Sequence, residues 1–200
     1  CTTGASEAGS TFCDACAAGK FLNAKRHCAS CPQGFASVYG QVACKVCEQG
    51  QYADRPTEAI ACMSCLSGKH GKSGLDPKLR LSEGVACQSC SRGRYSSAEG
   101  VRNALGCNPC SPGRYSEALA ANSSTTCFKC DQGTFQVREG NTTCDACPQG
   151  YGNTDDGSTS CTAVPPGSYV NASINMTVAC EKGFKCAGVD KGRTPCPPGS

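Results

Sequence analysis

One short phrase constrains this chain more than any other feature: two cysteines separated by two residues, then a glycine three positions further on. It occurs at Cys13/Cys16, Cys28/Cys31, Cys44/Cys47, Cys62/Cys65, Cys87/Cys90, Cys107/Cys110, Cys127/Cys130 and Cys144/Cys147, followed by Gly19, Gly34, Gly50, Gly68, Gly93, Gly113, Gly133 and Gly150. An aromatic ring follows most of these glycines, as at Phe21, Phe35, Tyr52, Tyr95, Tyr115, Phe135 and Tyr151, and His70 fills that slot in the fourth unit. A second glycine precedes several of the next pairs, at Gly9, Gly40, Gly84, Gly140 and Gly157. A sequence that repeats at so short a period describes a tandem array, in which each unit is too small to bury a core of its own.

Composition says how such units hold together. The chain has 21 cysteines and 24 glycines in 200 residues, no tryptophan, and six each of Phe and Tyr. That is too little bulk for one large apolar interior, so crosslinks must carry the fold. Cysteine at this density belongs in an oxidising compartment. A formal charge of +3, from 19 Lys plus Arg against 16 Asp plus Glu, comes without a basic block, and no nucleic-acid partner is expected. No apolar run is long enough to span a membrane within this segment.

The predicted fold class is small disulfide-rich repeats, an elongated rod of short β-hairpins and turns with little helix. The glycines are read as turn positions and the rings as covers for the sulfur bridges, since ring–sulfur contact is worth roughly 0.3–1.5 kcal/mol. Each unit is expected to stack only on its immediate neighbours. Residues 1–163 form the tandem repeats, in units of about 15–25 residues; residues 164–200 are variant repeats lacking one cysteine and continuing into a further copy. The chain opens on Cys1 in mid-rhythm and closes on CPPGS, which reads as a segment of a longer array.

Counting alone leaves the sulfur connectivity open. Close C-x-x-C neighbours rarely join each other outside redox enzymes, so the favoured scheme bonds the second cysteine of one pair to the first of the next. It gives Cys1–Cys13, Cys16–Cys28, Cys31–Cys44, Cys47–Cys62, Cys65–Cys87, Cys90–Cys107, Cys110–Cys127, Cys130–Cys144 and Cys147–Cys161. At Cys161 the phrase becomes CTAVPPGSY, with Val164 where a cysteine belongs, and one bridge is lost. Cys180 is paired with Cys186, and Cys196 awaits a partner beyond residue 200.

Units written C-x-x-C-P-x-G-x-[FY], with CPQGF, CPQGY and CPPGS as close instances, resemble the ephrin-receptor-like cysteine-rich repeats of the growth-factor-receptor and tumour-necrosis-factor-receptor superfamily. The resemblance covers nearly the whole chain. It implies an extracellular array that presents surfaces to other proteins, and it implies no catalytic residues.

Asn-x-Ser/Thr acceptors at Asn122, Asn141, Asn171 and Asn175 are half of the asparagines and agree with a secreted, N-glycosylated protein. Asn122, Asn141 and Asn175 lie three to five residues before a cysteine of the next unit, so their sugars are expected on equivalent faces. The long fourth loop, with Lys69, Lys72, Lys78 and Arg80, reads as an exposed, solvated insertion, and Arg92, Arg94 and Arg114 as solvated arginines. Zinc ribbons also use paired cysteines, but the glycine–aromatic phrase has no zinc rationale and only two histidines are present. A nucleophile built from His27 and Cys28 is set aside on the same ground that Cys28 belongs to a bridge.

These readings point to a non-enzymatic extracellular protein without cofactor or metal. The leading expectation is a glycosylated structural array within a cell-surface scaffold or filament, with copies of itself or other extracellular proteins as partners. The alternative is a receptor or adhesion ectodomain that binds a protein ligand. The two differ in one feature: specific binding calls for large exposed apolar anchors outside the repeat motif.

Overall fold

The structure is a computed structural model that describes residues 15–25, 27–171, 176–188 and 192–197. Among these, every sheet is a two-stranded antiparallel hairpin, and there are ten. The strands are two to four residues long, from Lys20–Leu22 with Cys28–Ser30 at one end of the array to Phe184–Lys185 with Thr194–Pro195 at the other. One α-helical turn, Glu83–Ala86, and three single 3-10 turns complete the regular structure.

Hairpins this short are not stable alone, so their hydrogen bonds must be supplemented. Two devices do this. The first is sulfur: bridges join Cys16 to Cys28, Cys31 to Cys44, Cys47 to Cys62, Cys65 to Cys87, Cys90 to Cys107, Cys110 to Cys127, Cys130 to Cys144, Cys147 to Cys161 and Cys180 to Cys186. Cys1 and Cys13 lie outside the described residues.

The second device is a backbone lattice that the glycines make possible. Within each hairpin the glycine carbonyl accepts from the amide at the second-cysteine position of the next pair, as Gly68 does from Cys90 and Gly93 from Cys110, both at 2.8 Å. The glycine amide donates to the residue three places beyond the glycine of the following repeat: Gly68 to Ser96, Gly93 to Ser116 and Gly113 to Gln136. Those residues in turn donate to the turn of the repeat after, Ser96 to Ala121, Ser116 to Asn141 and Gln136 to Ser158. A single residue is thus bonded on both sides by flanking repeats, which satisfies backbone groups that would otherwise be buried without partners.

The described residues fall into two compact units. One takes in those up to Cys90, with Ser96–Cys107 and Ala120–Ser123; the other takes in Ser91–Tyr95, Asn108–Leu119 and those from Ser124 onward. Within the first, the carbonyl of Ala120 stands where a Cβ on Gly68 would lie, and the carbonyl of Gly100 does the same at Gly50. Within the second, Gly140 closes on Gly93 and Gly157 on Gly113. Each contact joins a repeat to the one two places on. This corrects the expectation that units touch only their immediate neighbours: the left-handed turn before each cysteine pair projects past one repeat to the glycine of another.

The most enclosed side chains of the interior are the sulfurs rather than the rings. Phe21, Phe35, Tyr52, Tyr95, Tyr115 and Phe135 are only half-buried and Tyr151 is exposed, whereas Cys47, Cys65, Cys90 and Cys130 are wholly enclosed. Beside the sulfurs the buried positions are small or polar: Ala36, Ser37, Ala53, Ser96, Ser116 and Gln136. Backbone from two other repeats bonds to Ser96, Ser116 and Gln136. His70, in the aromatic slot, is the buried exception, its Nδ1 3.0 Å from the Gly71 carbonyl.

The fourth loop is exposed at Lys72, Ser73, Gly74, Asp76, Lys78 and Leu79, as expected, but it is anchored at several points. Asp76 caps the 3-10 turn Pro77–Leu79 by accepting from the Lys78 amide at 2.9 Å, and the Pro77 carbonyl rests against Gly34. The Arg80 carbonyl accepts from Ala53, taking the role that Val101 and Ala121 play for later repeats. Its guanidinium donates to the carbonyls of Cys47 at 2.6 Å and Leu75 at 3.0 Å. Arg114 is similarly engaged, half-buried and donating to the Cys127 carbonyl at 2.9 Å. These arginines satisfy backbone oxygens rather than solvating a surface.

Candidate interaction surface

With the motif residues committed to the lattice, the surface that remains for recognition lies between the hairpins. Each aromatic slot is partly shielded, but several large apolar side chains outside the motif are open to solvent. In the second repeat the turn SVYGQV carries Val38 at 58% exposure, Tyr39 at 68% and Val42 at 72%. Ile60 and Met63 of the third repeat are also exposed. Tyr39 is the informative residue, because it is a ring that no repeat position demands.

Beside that turn runs a groove lined by small residues, Ala36, Ser37, Ala43 and Ala61, and by Val38, Ile60 and Lys45. It lies where the Phe35–Ala36 and Lys45–Val46 hairpin meets the third repeat, with Lys45 opposite Ala36 in register and the Ser37 amide donating to Ala59. Asp54 holds the far wall by accepting from the amides of Ile60, at 3.0 Å, and Ala61.

Ion pairs distribute the charge of this first unit unevenly. Glu58 sits 3.5 Å from Lys20 and accepts from the Ser30 hydroxyl at 2.6 Å; the hydroxyl first, and the lysine second, hold its carboxyl below the usual range. Glu83 pairs with Lys69 at 3.0 Å and accepts from the Leu66 amide, which lowers it against the opposing effect of burial. Glu48 pairs with Arg102 and Asp54 with Arg55. These contacts engage Glu48, Asp54, Glu58 and Glu83, whereas Asp76 and Glu99 of the same unit, like the exposed Lys45, Lys72 and Lys78, make no ion pair among the described residues.

The glycan acceptors do not share one position. Counting from the left-handed turn residue, Asn122 stands two places after Ala120, whereas Asn141 stands one place after Gly140. Asn122 is exposed; Asn141 is half-buried and its carbonyl is held by the Ser116 amide. Asn171 is half-buried in the strand Ser168–Asn171, and Asn175 lies outside the described residues.

Sequence reasoning found the missing cysteine at Val164 but not its counterpart. The Val164 amide donates to the Gly150 carbonyl at 3.0 Å, as the second cysteine of a pair does elsewhere, and its side chain is buried. Thr177 faces Val170 across its hairpin in the register by which Cys28 faces Leu22 and Cys62 faces Ala53. Val164 and Thr177 therefore occupy the two ends of one absent bridge. The signal was present as Thr177-x-x-Cys180 followed by Gly183 and Phe184. The same count places Arg193 in the first-cysteine slot before Cys196; it pairs with Glu181 at 2.7 Å and lies 4.8 Å over the Phe184 ring and 5.9 Å from that of Tyr169. Cys196 carries a free thiol, and its amide donates to Gly183.

No cluster of three or more His, Cys, Asp or Glu is placed to hold a metal among the described residues. His27 is exposed beside a Cys28 whose sulfur is bonded to Cys16. No described helix is long and apolar enough to cross a membrane.

The architecture is that of a disulfide-rich cysteine-repeat protein. Residues 119–163 match the family described as tyrosine-protein kinase ephrin type A/B receptor-like, so that stretch is similar to an ephrin-receptor-like cysteine-rich repeat. No curated protein matches the chain. The matched stretch contains Ala120, Gly140, Gly157 and the bridges Cys130–Cys144 and Cys147–Cys161, so the lattice elements seen there are those that recur in the other repeats.

Proposed function

We propose that the chain is part of a receptor or adhesion ectodomain, an extracellular, non-catalytic array whose repeats hold a protein-binding surface in place. The match of residues 119–163 to an ephrin-receptor-like repeat carries this reading, because the family is described by a receptor. The family match favours the receptor reading over a filament.

The exposed anchors support the same reading. Val38, Tyr39 and Val42 leave apolar area in water that no repeat requires, and clustered aromatic or aliphatic side chains of this kind are what protein interfaces bury at their centres. Asn122 is the acceptor best placed to carry a glycan.

Immunogold imaging of native material separates this from a scaffold role. Isolated, membrane-tethered molecules agree with the proposal, and continuous fibres labelled along their length refute it. Enzymatic deglycosylation followed by mass spectrometry reports on compartment: conversion of Asn122 to Asp is expected.

A further inference from the structure

We propose that the groove between the second and third repeats binds an extended acidic segment of the protein ligand, one that inserts a large apolar side chain beside Val38 and Ile60. This rests on the ectodomain reading and adds to it the place and the chemistry of recognition. Three observations converge.

The first is shape. Ala36, Ser37, Ala43 and Ala61 keep the lining low while Val38 and Ile60 stand at its margin, so an incoming side chain meets apolar walls over a floor of small residues. Pockets of that kind accept aliphatic or aromatic anchors.

The second is surplus exposed apolar area. Val38, Tyr39 and Val42 belong to one turn, and the Ile60 amide is held by Asp54. An extended partner lying in the groove covers this turn as well.

The third is charge. Glu48, Asp54, Glu58 and Glu83 are each engaged by a cation of the same unit, whereas Lys45 lines the groove without one. The backbone at Lys78 packs against Gly34, at the base of the same hairpin, and its exposed side chain is also without an ion pair. Lys45 is the charged side chain of the lining, and an unpaired cation in an apolar slot selects a partner carrying carboxylates, by complementarity that chiefly sets encounter rate and specificity.

The experiment selects phage-displayed random peptides on the immobilised, oxidised chain. The enriched pool is expected to be acidic with at least one large apolar residue. Val38→Asp and Ile60→Asp should each weaken its binding by about tenfold or more, the scale at which interface anchors act. Lys45→Glu should shift enrichment toward basic peptides. Both Val38 and Ile60 are exposed, and a non-reducing peptide map of each variant confirms that its bridges are intact.

A pool without acidic enrichment, or peptides bound equally by wild type and both aspartate variants, overturns the groove. So does heparin displacement that depends on Lys45 but not on Val38 or Ile60, which would assign the surface to an acidic polysaccharide. Binding of the wild-type chain to cells, measured alongside, keeps the two claims apart. Saturable binding that survives Val38→Asp and Ile60→Asp sinks the groove alone, and absence of any saturable binding sinks the ectodomain reading.

Discussion

The carbonyl oxygen of Gly140 occupies the space that a Cβ on Gly93 would fill, and Gly93 itself is held at φ +78°. Both facts make the position intolerant of any side chain. Gly167 supplies the comparison, since its φ is +88° but nothing lies within 4 Å of its missing Cβ. Gly167→Ala should therefore cost only the left-handed strain, about 1–2 kcal/mol. Gly93→Ala adds the displacement of backbone, about 1–3 kcal/mol more. Thermal unfolding of the two oxidised variants checks the order; equal losses would show that the contact two repeats away contributes nothing.

Ala120 takes the same turn position as Gly100, Gly140 and Gly157, at φ +55°. Glycine adopts that conformation freely and alanine does not. Ala120→Gly is expected to raise stability by up to about 1 kcal/mol, because relief of strain exceeds the added freedom of the unfolded chain. A lower midpoint in the same thermal assay would contradict it.

Restoring the absent bridge tests the equivalence of Val164 and Thr177. The double variant Val164→Cys with Thr177→Cys should oxidise in air, dissolved oxygen taking up the two hydrogens lost from its mass, and gain about 3 kcal/mol on the loop-entropy account for a loop of about 15 residues. Each single variant should instead leave a thiol that reacts with iodoacetamide. A double variant that stays reduced would show that Thr177 is not in the cysteine slot.

Acid should loosen the start of the fourth repeat. The Glu83 carboxyl is lowered by Lys69 and by the Leu66 amide. A carboxyl lowered on folding contributes stability that is fully present above its unfolded value and is lost as pH falls through the folded one. Hydrogen exchange at the Leu66 amide is therefore expected to accelerate, relative to the intrinsic rate, as pH falls through the lower carboxylate range. Glu83→Gln should remove that dependence. An unchanged protection factor across the titration in the wild type would refute the link.

How much of this was legible beforehand follows from which interactions are local. The hairpins were readable because a glycine three residues after a cysteine marks a turn within its own unit, as at Gly68 and Gly113. The lattice was not, since the partner of Gly93 at Gly140 lies two repeats away and only the fold brings it near. The small buried positions were hidden for a related reason. Composition shows that Tyr95 is the bulkiest residue of its unit, but not that backbone from two other repeats bonds to the buried Ser96. Arg80 was read by charge as solvated, whereas its use is to satisfy the carbonyls of Cys47 and Leu75, which no charge count reveals. Tyr39 was passed over because the aromatics were assigned to the motif as a class, and its exposure appears only when the slots are filled one by one.

The claim on which the account turns is that sulfur bridges between successive pairs take the place of an apolar interior. Peptide mapping of the native protein without reduction tests it directly. The account predicts crosslinked peptides joining Cys47 to Cys62, Cys65 to Cys87, Cys90 to Cys107 and Cys130 to Cys144, with C-x-x-C neighbours never joined to each other. Bridges closed within Cys107/Cys110 or Cys127/Cys130, or free thiols at these positions, would contradict it.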